Sequence, residues 1–151
     1  MRIIAFFAAL VFLTTTARAE TITIAAFNVE NLFDAVDDPG NPRDETYLPL
    51  AVKEANAATH HASCEMWNGE TGFYTEQCKT LDWSDAVYSQ KLTRLAATIN
   101  ALPTLPQILI IPETENLAVL EDLVNRGLPN SGYEAVQLDT SDEPESRGID
   151  V

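Results

Sequence analysis

Two strings far apart in the chain, AAFNVENLFD at 25–34 and ILIIPETENLAVLEDL at 108–123, constrain its fold more than any other feature. Each opens as an apolar run of strand character and delivers polar or acidic side chains at its far end: Asn28 and Glu30 in the first, Glu113 in the second. An isolated carboxylate is costly inside an apolar layer but not where a strand leaves it. Strands that end this way are how a metal site is built on a sheet. The chain stops at Val151, within the strand-like run 148–151 and with no closing element after it, so it reads as the front part of a longer protein.

The first residues are a targeting segment. Met1 and Arg2 give a positive start, residues 3–13 are uninterrupted apolar, and Ala17-Arg18-Ala19 places small residues where a signal peptidase reads. The expectation is a signal peptide over 1–19, a mature start at Glu20, and a secreted or periplasmic protein with no stable membrane association. The apolar run is shorter than the roughly 18 residues a membrane span requires. Nine Lys and Arg face 23 Asp and Glu, a formal charge of -14. That excludes a protein that coats nucleic acid by displacing counterions, and a chain so acidic acts on phosphates only with local cations, bound metal above all.

Cys64 and Cys78 fit export: an even pair in an oxidising compartment most economically forms one disulfide. The sharper alternative joins them with His60 and His61 in a zinc cluster, although neither the spacing nor the neighbouring residues resemble a zinc module. The adjacent histidines read as solvated loop residues.

Strand and helix signals alternate after Glu20. The two-residue period over 21–29 puts Ile22, Ile24, Ala26 and Asn28 on one face, and Glu30 continues it. Residues 34–43 have loop composition, and 44–81 reads as a long irregular insertion at the rim of the site, with a short helix near 51–58. From Asp82 onward Tyr88, Leu92, Leu95, Ala96, Ile99 and Leu102 form a helical stripe that Pro103 closes. A second buried strand spans 107–111. Asn116 caps a further helix with its stripe at Leu117, Leu120, Leu123 and Val124, closed near Gly127. A third strand is expected over 133–138, an acidic turn over 139–146, and the start of a fourth strand after it.

Taken together, these strings resemble the endonuclease/exonuclease/phosphatase superfamily, also called deoxyribonuclease I-like. Residues 27–34, FNVENLFD, look like its opening strand motif, and residues 112–116, PETEN, like its metal-glutamate motif, in which Gln more often precedes the glutamate and Val follows it. Asp82-Trp83 with Tyr88 and Lys91-Leu92 resembles the helix of secreted bacterial members, and residues 147–151, RGIDV, the next core strand. The resemblance implies a four-layered α/β sandwich, of which this chain holds the N-terminal part over 20–151. It implies metal-dependent hydrolysis of phosphodiester bonds, most plausibly of DNA by a secreted endonuclease. Mg²⁺ is the implied ion, with Ca²⁺ or Mn²⁺ as substitutes. Glu113 becomes the principal metal carboxylate, Glu30 an acidic position that helps a second metal in some members, and Asn28 a catalytic contact to the scissile phosphate or to a metal-bound water.

Without the resemblance each of these residues has a plainer reading: a glutamate after a buried strand is ordinarily the first solvated residue of a loop, and an asparagine can simply turn the chain. Glu115 is assigned to the helix start through its dipole rather than to metal. The family's catalytic histidine, Asp-Asn pair and terminal Asp-His pair have no counterparts here, so the fragment alone is expected to be inactive and poorly folded. The rival readings are a phosphatase or phospholipid phosphodiesterase of the same family and, outside it, a non-catalytic secreted acidic Ca²⁺-binding protein.

Overall fold

The computed structural model describes residues 20–38 and 43–138. The expected signal peptide, the turn at 39–42, the acidic turn, and the strand start with Arg147 and Asp150 lie outside the described residues.

The two strings that open the sequence argument meet as neighbours. β1 (Ile24–Ala26) and β2 (Ile108–Ile110) pair in parallel, with Ile24 opposite Ile108 and Ala26 opposite Ile110. The pairing continues past both strands: Phe27 donates to the Ile110 carbonyl at 2.9 Å, Val29 to that of Pro112 at 3.4 Å, and Leu32 bridges Thr114. At the other end the Gln107 side-chain oxygen accepts from the Thr23 amide at 2.8 Å. A parallel pair needs a long crossover. Here it is the whole helical stretch between residues 45 and 100.

Among the described residues five helices run in chain order: α1 (Leu50–Ala55), α2 (Ala57–Asn68), α3 (Phe73–Thr80), α4 (Asp85–Asn100) and α5 (Leu117–Asp122). A short 3-10 turn, Glu45–Tyr47, precedes α1, and a π-type turn, Leu123–Gly127, continues α5. The core lies between the sheet and α4. Tyr88, Leu92, Ala96 and Ile99 supply α4's buried stripe as the sequence spacing requires, while Leu102 lies past the helix end and stays exposed. They pack with Val29, Ile111, Val119, Leu120 and Leu123. Burial of a side chain of this size contributes about 1.5–3 kcal/mol, so this stripe is the main attachment of α4. Asn116 caps α5 as expected, its side-chain oxygen accepting from Val119 at 3.1 Å. Gly127 lets the π-type turn approach α4: a Cβ there would stand 2.9 Å from the Ala96 Cβ.

Three sequence expectations need correction. The strands are buried on one face only: Phe27, Val29 and Ile111 turn inward, while Ile22, Ile24, Ile108 and Ile110 are exposed, because among the described residues nothing covers that face. Residues 133–138 do not join a ladder among the described residues. They keep an alternating exposure pattern, with Tyr133 and Ala135 against the core and Val136 and Leu138 outside, and the Tyr133 hydroxyl donates to the Pro106 carbonyl at 2.5 Å. The supposedly irregular stretch 44–81 is mostly helical. α2 escapes notice because it has no apolar stripe: it buries only His60 and Cys64, and what holds it is the Cys64–Cys78 disulfide to α3. The described residues thus form a mixed α/β unit of one small parallel sheet and packed helices.

Candidate functional site

Parallel pairing brings Asn28, Glu30 and Glu113 to the same edge, beyond the carboxyl ends of β1 and β2, where ligands of open α/β sheets bind. The backbone there is contorted. Glu30, Asn31 and Glu113 have φ of 52°, 62° and 67°, and they are the only non-glycine residues with positive φ among those described. Left-handed conformations of this kind cost on the order of 1–3 kcal/mol each and gather at active sites and ligand clamps. The cause is visible in the pairing: Leu32 donates to the Glu113 carbonyl at 2.8 Å and Glu115 to the Leu32 carbonyl at 3.0 Å, so both chains resume pairing after a kink. The kink turns Glu30 and Glu113 off the regular pleat.

Lys91, on α4, reaches into the kink. Its ammonium donates to the carbonyls of Glu30 at 2.5 Å and Asn31 at 2.8 Å, and it stands 5.6 Å from the centre of the Trp83 ring. Burial lowers the Lys91 pKa, opposed by the negative charges of Glu30 and Glu113. Sequence reasoning placed Lys91 only as part of a family helix. Its reach to the first strand was not readable, because the contact spans 61 positions.

Asn28 makes a local turn. Its side-chain oxygen accepts from the Glu30 amide at 2.7 Å, which leaves the exposed amide NH₂ as a donor. A donor at that place suits a phosphate oxygen better than a metal ion. The donors left for a cation, the carboxylates of Glu30 and Glu113, are hard oxygen ligands and fit Mg²⁺, Ca²⁺ or Mn²⁺.

Glu115 differs from its expected role. It is 4 % exposed, and its carboxylate accepts from the Asp34 amide at 3.0 Å, tying the loop after β1 to the strand end after β2. Burial, joined by the charges of Asp34, Asp44 and Asp38, raises its pKa to about 8. Helix capping falls to Asn116 instead. Burial likewise raises Asp44 to about 7, where its carboxylate accepts from the Asp38 amide at 2.7 Å.

The cysteine alternatives are resolved by the bond itself: Cys64 and Cys78 are joined, with Cα atoms 5.7 Å apart. The ligand atoms of His60 and both cysteines lie within 4.8 Å of one another, but the sulfurs are spent on each other. His60 is not a solvated loop residue. It is buried on α2 with Nε2 3.0 Å from the Cys78 carbonyl, and burial lowers its pKa; only His61 is exposed, and on a helix. Beside it the buried Lys53 donates to the carbonyls of Thr46 at 2.9 Å and Cys78 at 2.7 Å, and burial brings its pKa down to about 8.

No helix among the described residues is long and apolar enough to cross a membrane. No curated protein and no solved structure matches the chain. Residues 69–151 match the Endonuclease/Exonuclease/phosphatase family, a span that contains Lys91, Glu113 and Glu115. Asn28 and Glu30 lie before the match and are brought to it by the pairing of β1 with β2. More than half of the chain is thus covered, and the chain belongs to the endonuclease/exonuclease/phosphatase family.

Proposed function

We propose that this protein is a divalent-metal-dependent phosphodiesterase, an exported endonuclease with Mg²⁺ as its ion, and that Glu113 and Glu30 hold the metal while Asn28 contacts the scissile phosphate. Members of the family are hydrolases of phosphodiesters or phosphate esters and typically use divalent metals. The observation that carries the assignment of residues is the parallel pairing that brings Asn28, Glu30 and Glu113 to one kinked edge beyond two strand ends. A hard cation bound there would polarise the phosphoryl oxygen and lower the pKa of a bound water. The residues contribute position: Glu113 and Glu30 fix the cation, and the Asn28 amide donates to a phosphate oxygen in line with the strand end. The disulfide supports export, since such bonds persist in oxidising compartments. The four-layered sandwich is the architecture we propose for the complete domain, and the exposed isoleucine face of the sheet is where a second layer would pack.

The test uses the protein expressed from its whole reading frame, assayed on plasmid DNA, a phosphate monoester and a phospholipid with and without Mg²⁺. Glu113→Gln keeps shape and removes charge, so it should lower Mg²⁺-dependent DNA cleavage by at least about a hundredfold, about 3 kcal/mol of barrier, with little change in Tm. Asn28→Ala should fall less steeply, since it removes a positioning donor only. Cleavage confined to the monoester or the phospholipid would move the assignment within the family. Full activity in Glu113→Gln would refute the metal assignment, and cation binding without hydrolysis of any substrate would favour a structural Ca²⁺ role.

A further inference from the structure

A cavity opens beside the strained edge, and the two share Asn31. Its volume is about 200 Å³, and the helical stretch 43–80 supplies most of its wall, including Arg43, Tyr47, Trp67, Tyr74 and Gln77. Among the described lining residues there is no Leu, Ile, Val or Met. An acyl chain would find no aliphatic wall there. The wall combines flat rings and amides with the Glu45 carboxylate and Thr46: Tyr47 is stacked on Phe33 with centroids 4.2 Å apart, the Arg43 guanidinium stands 4.6 Å over the Trp67 ring, and Asn31, Asn68 and Gln77 add amide groups.

Two features mark this wall as waiting for a ligand rather than filling a core. The Trp67 indole nitrogen is buried and has no hydrogen-bond partner among the described residues. A buried N–H without an acceptor is uncommon in folded proteins, and each one calls for a physical explanation. Tyr74 is 64 % exposed at the cavity rim, edge-on to Phe73, which is 74 % exposed, with ring centroids 5.4 Å apart. Large rings left in solvent beside a polar cavity are stacking platforms for flat ligands, and every nucleobase has a face to stack.

We propose that this cavity is a nucleobase subsite, in which the base next to the scissile phosphate stacks on the Tyr74 ring and offers a ring nitrogen or carbonyl to the Trp67 N–H. The inference rests on the phosphodiesterase reading for its role, because Asn31 links the cavity to the edge where the phosphate would sit. It also reconciles that reading with the charge. At -14 the chain does not gather a polyanion by its long-range field, so contacts to bases would add affinity to what a bound cation supplies.

The experiment has a binding arm and a kinetic arm. In the first, a nucleoside monophosphate is titrated without metal by isothermal titration calorimetry, with ribose 5-phosphate as the base-free control. The nucleotide should bind the wild type saturably, and Trp67→Phe, which keeps an aromatic ring and loses the N–H, should weaken binding at least tenfold; Tyr74→Ala, at an exposed position, should weaken it at least tenfold without changing the fold. Equal binding of ribose 5-phosphate, or no loss in either variant, would overturn the subsite. In the second arm a dinucleotide is compared with the same diester carrying an abasic residue. Both variants should raise KM for the dinucleotide about tenfold with kcat unchanged and should leave the abasic diester unaffected. Equal losses on both substrates would mean a structural defect and overturn the proposal. If the protein expressed from its whole reading frame, used in both arms, hydrolyses neither, the phosphodiesterase reading fails, and the binding arm alone decides the cavity.

Discussion

At the scale of single residues, the chain places acidic groups where burial works against their charge. Asp44 is 2 % exposed, and burial lifts its pKa from 3.8 to about 7. A carboxyl whose folded pKa is raised binds its proton more tightly when folded, so its contribution is fully present below about pH 4 and is lost as pH rises through about 7. The span corresponds to on the order of 4 kcal/mol. Asp44→Asn keeps an oxygen to accept from the Asp38 amide and removes the ionisation. Urea unfolding at pH 5 and pH 8 should therefore show the variant losing distinctly less stability than the wild type over that interval. A pH dependence identical in the two proteins would contradict the buried acid. Nothing in the sequence singled out Asp44, since an aspartate after a Pro- and Gly-rich turn ordinarily faces water. Glu115 was misread for the related reason that two glutamates flank one threonine, and sequence alone does not say which of them turns inward.

At the scale of elements, legibility followed the apolar pattern. α4 and the capped α5 could be read because their stripes repeat at threes and fours, and β1 and β2 because apolar runs end in polar residues. α2 and α3 could not, because their stability comes from a covalent tie and from polar contacts to backbone carbonyls rather than from a stripe. The tie should matter accordingly. Its cysteines are 14 positions apart, a loop whose closure contributes about 3 kcal/mol, so Cys64→Ser with Cys78→Ser should lower Tm by roughly 10 °C. Hydrogen exchange should show the loss concentrated in α2 and α3, with α4 and the sheet protected as before. An even loss across the molecule would show that the helical stretch folds as one unit with the core.

At the scale of the whole molecule, residues from three stretches converge: the first strand end, the second strand end, and α4 through Lys91. The residue types of the site could be read from the sequence, but its assembly could not, because it depends on parallel pairing across 84 positions and on a lysine that reaches 61 positions back. The same molecule leaves Ile22, Ile24, Ile108 and Ile110 exposed, and a cavity of about 620 Å³ opens between β2, α5 and residues 132–138. Contiguous apolar surface of this kind should bind a hydrophobic dye in the 151-residue chain. The central claim is that the two strand ends form one cation site. It is tested most directly by paramagnetic broadening of amide resonances as Mn²⁺ is titrated into the isotope-labelled protein. The account predicts saturable broadening centred on residues 28–31, Glu113 and Thr114 that Glu113→Gln abolishes. Broadening centred on the exposed acidic surface elsewhere, or unchanged in Glu113→Gln, would contradict it.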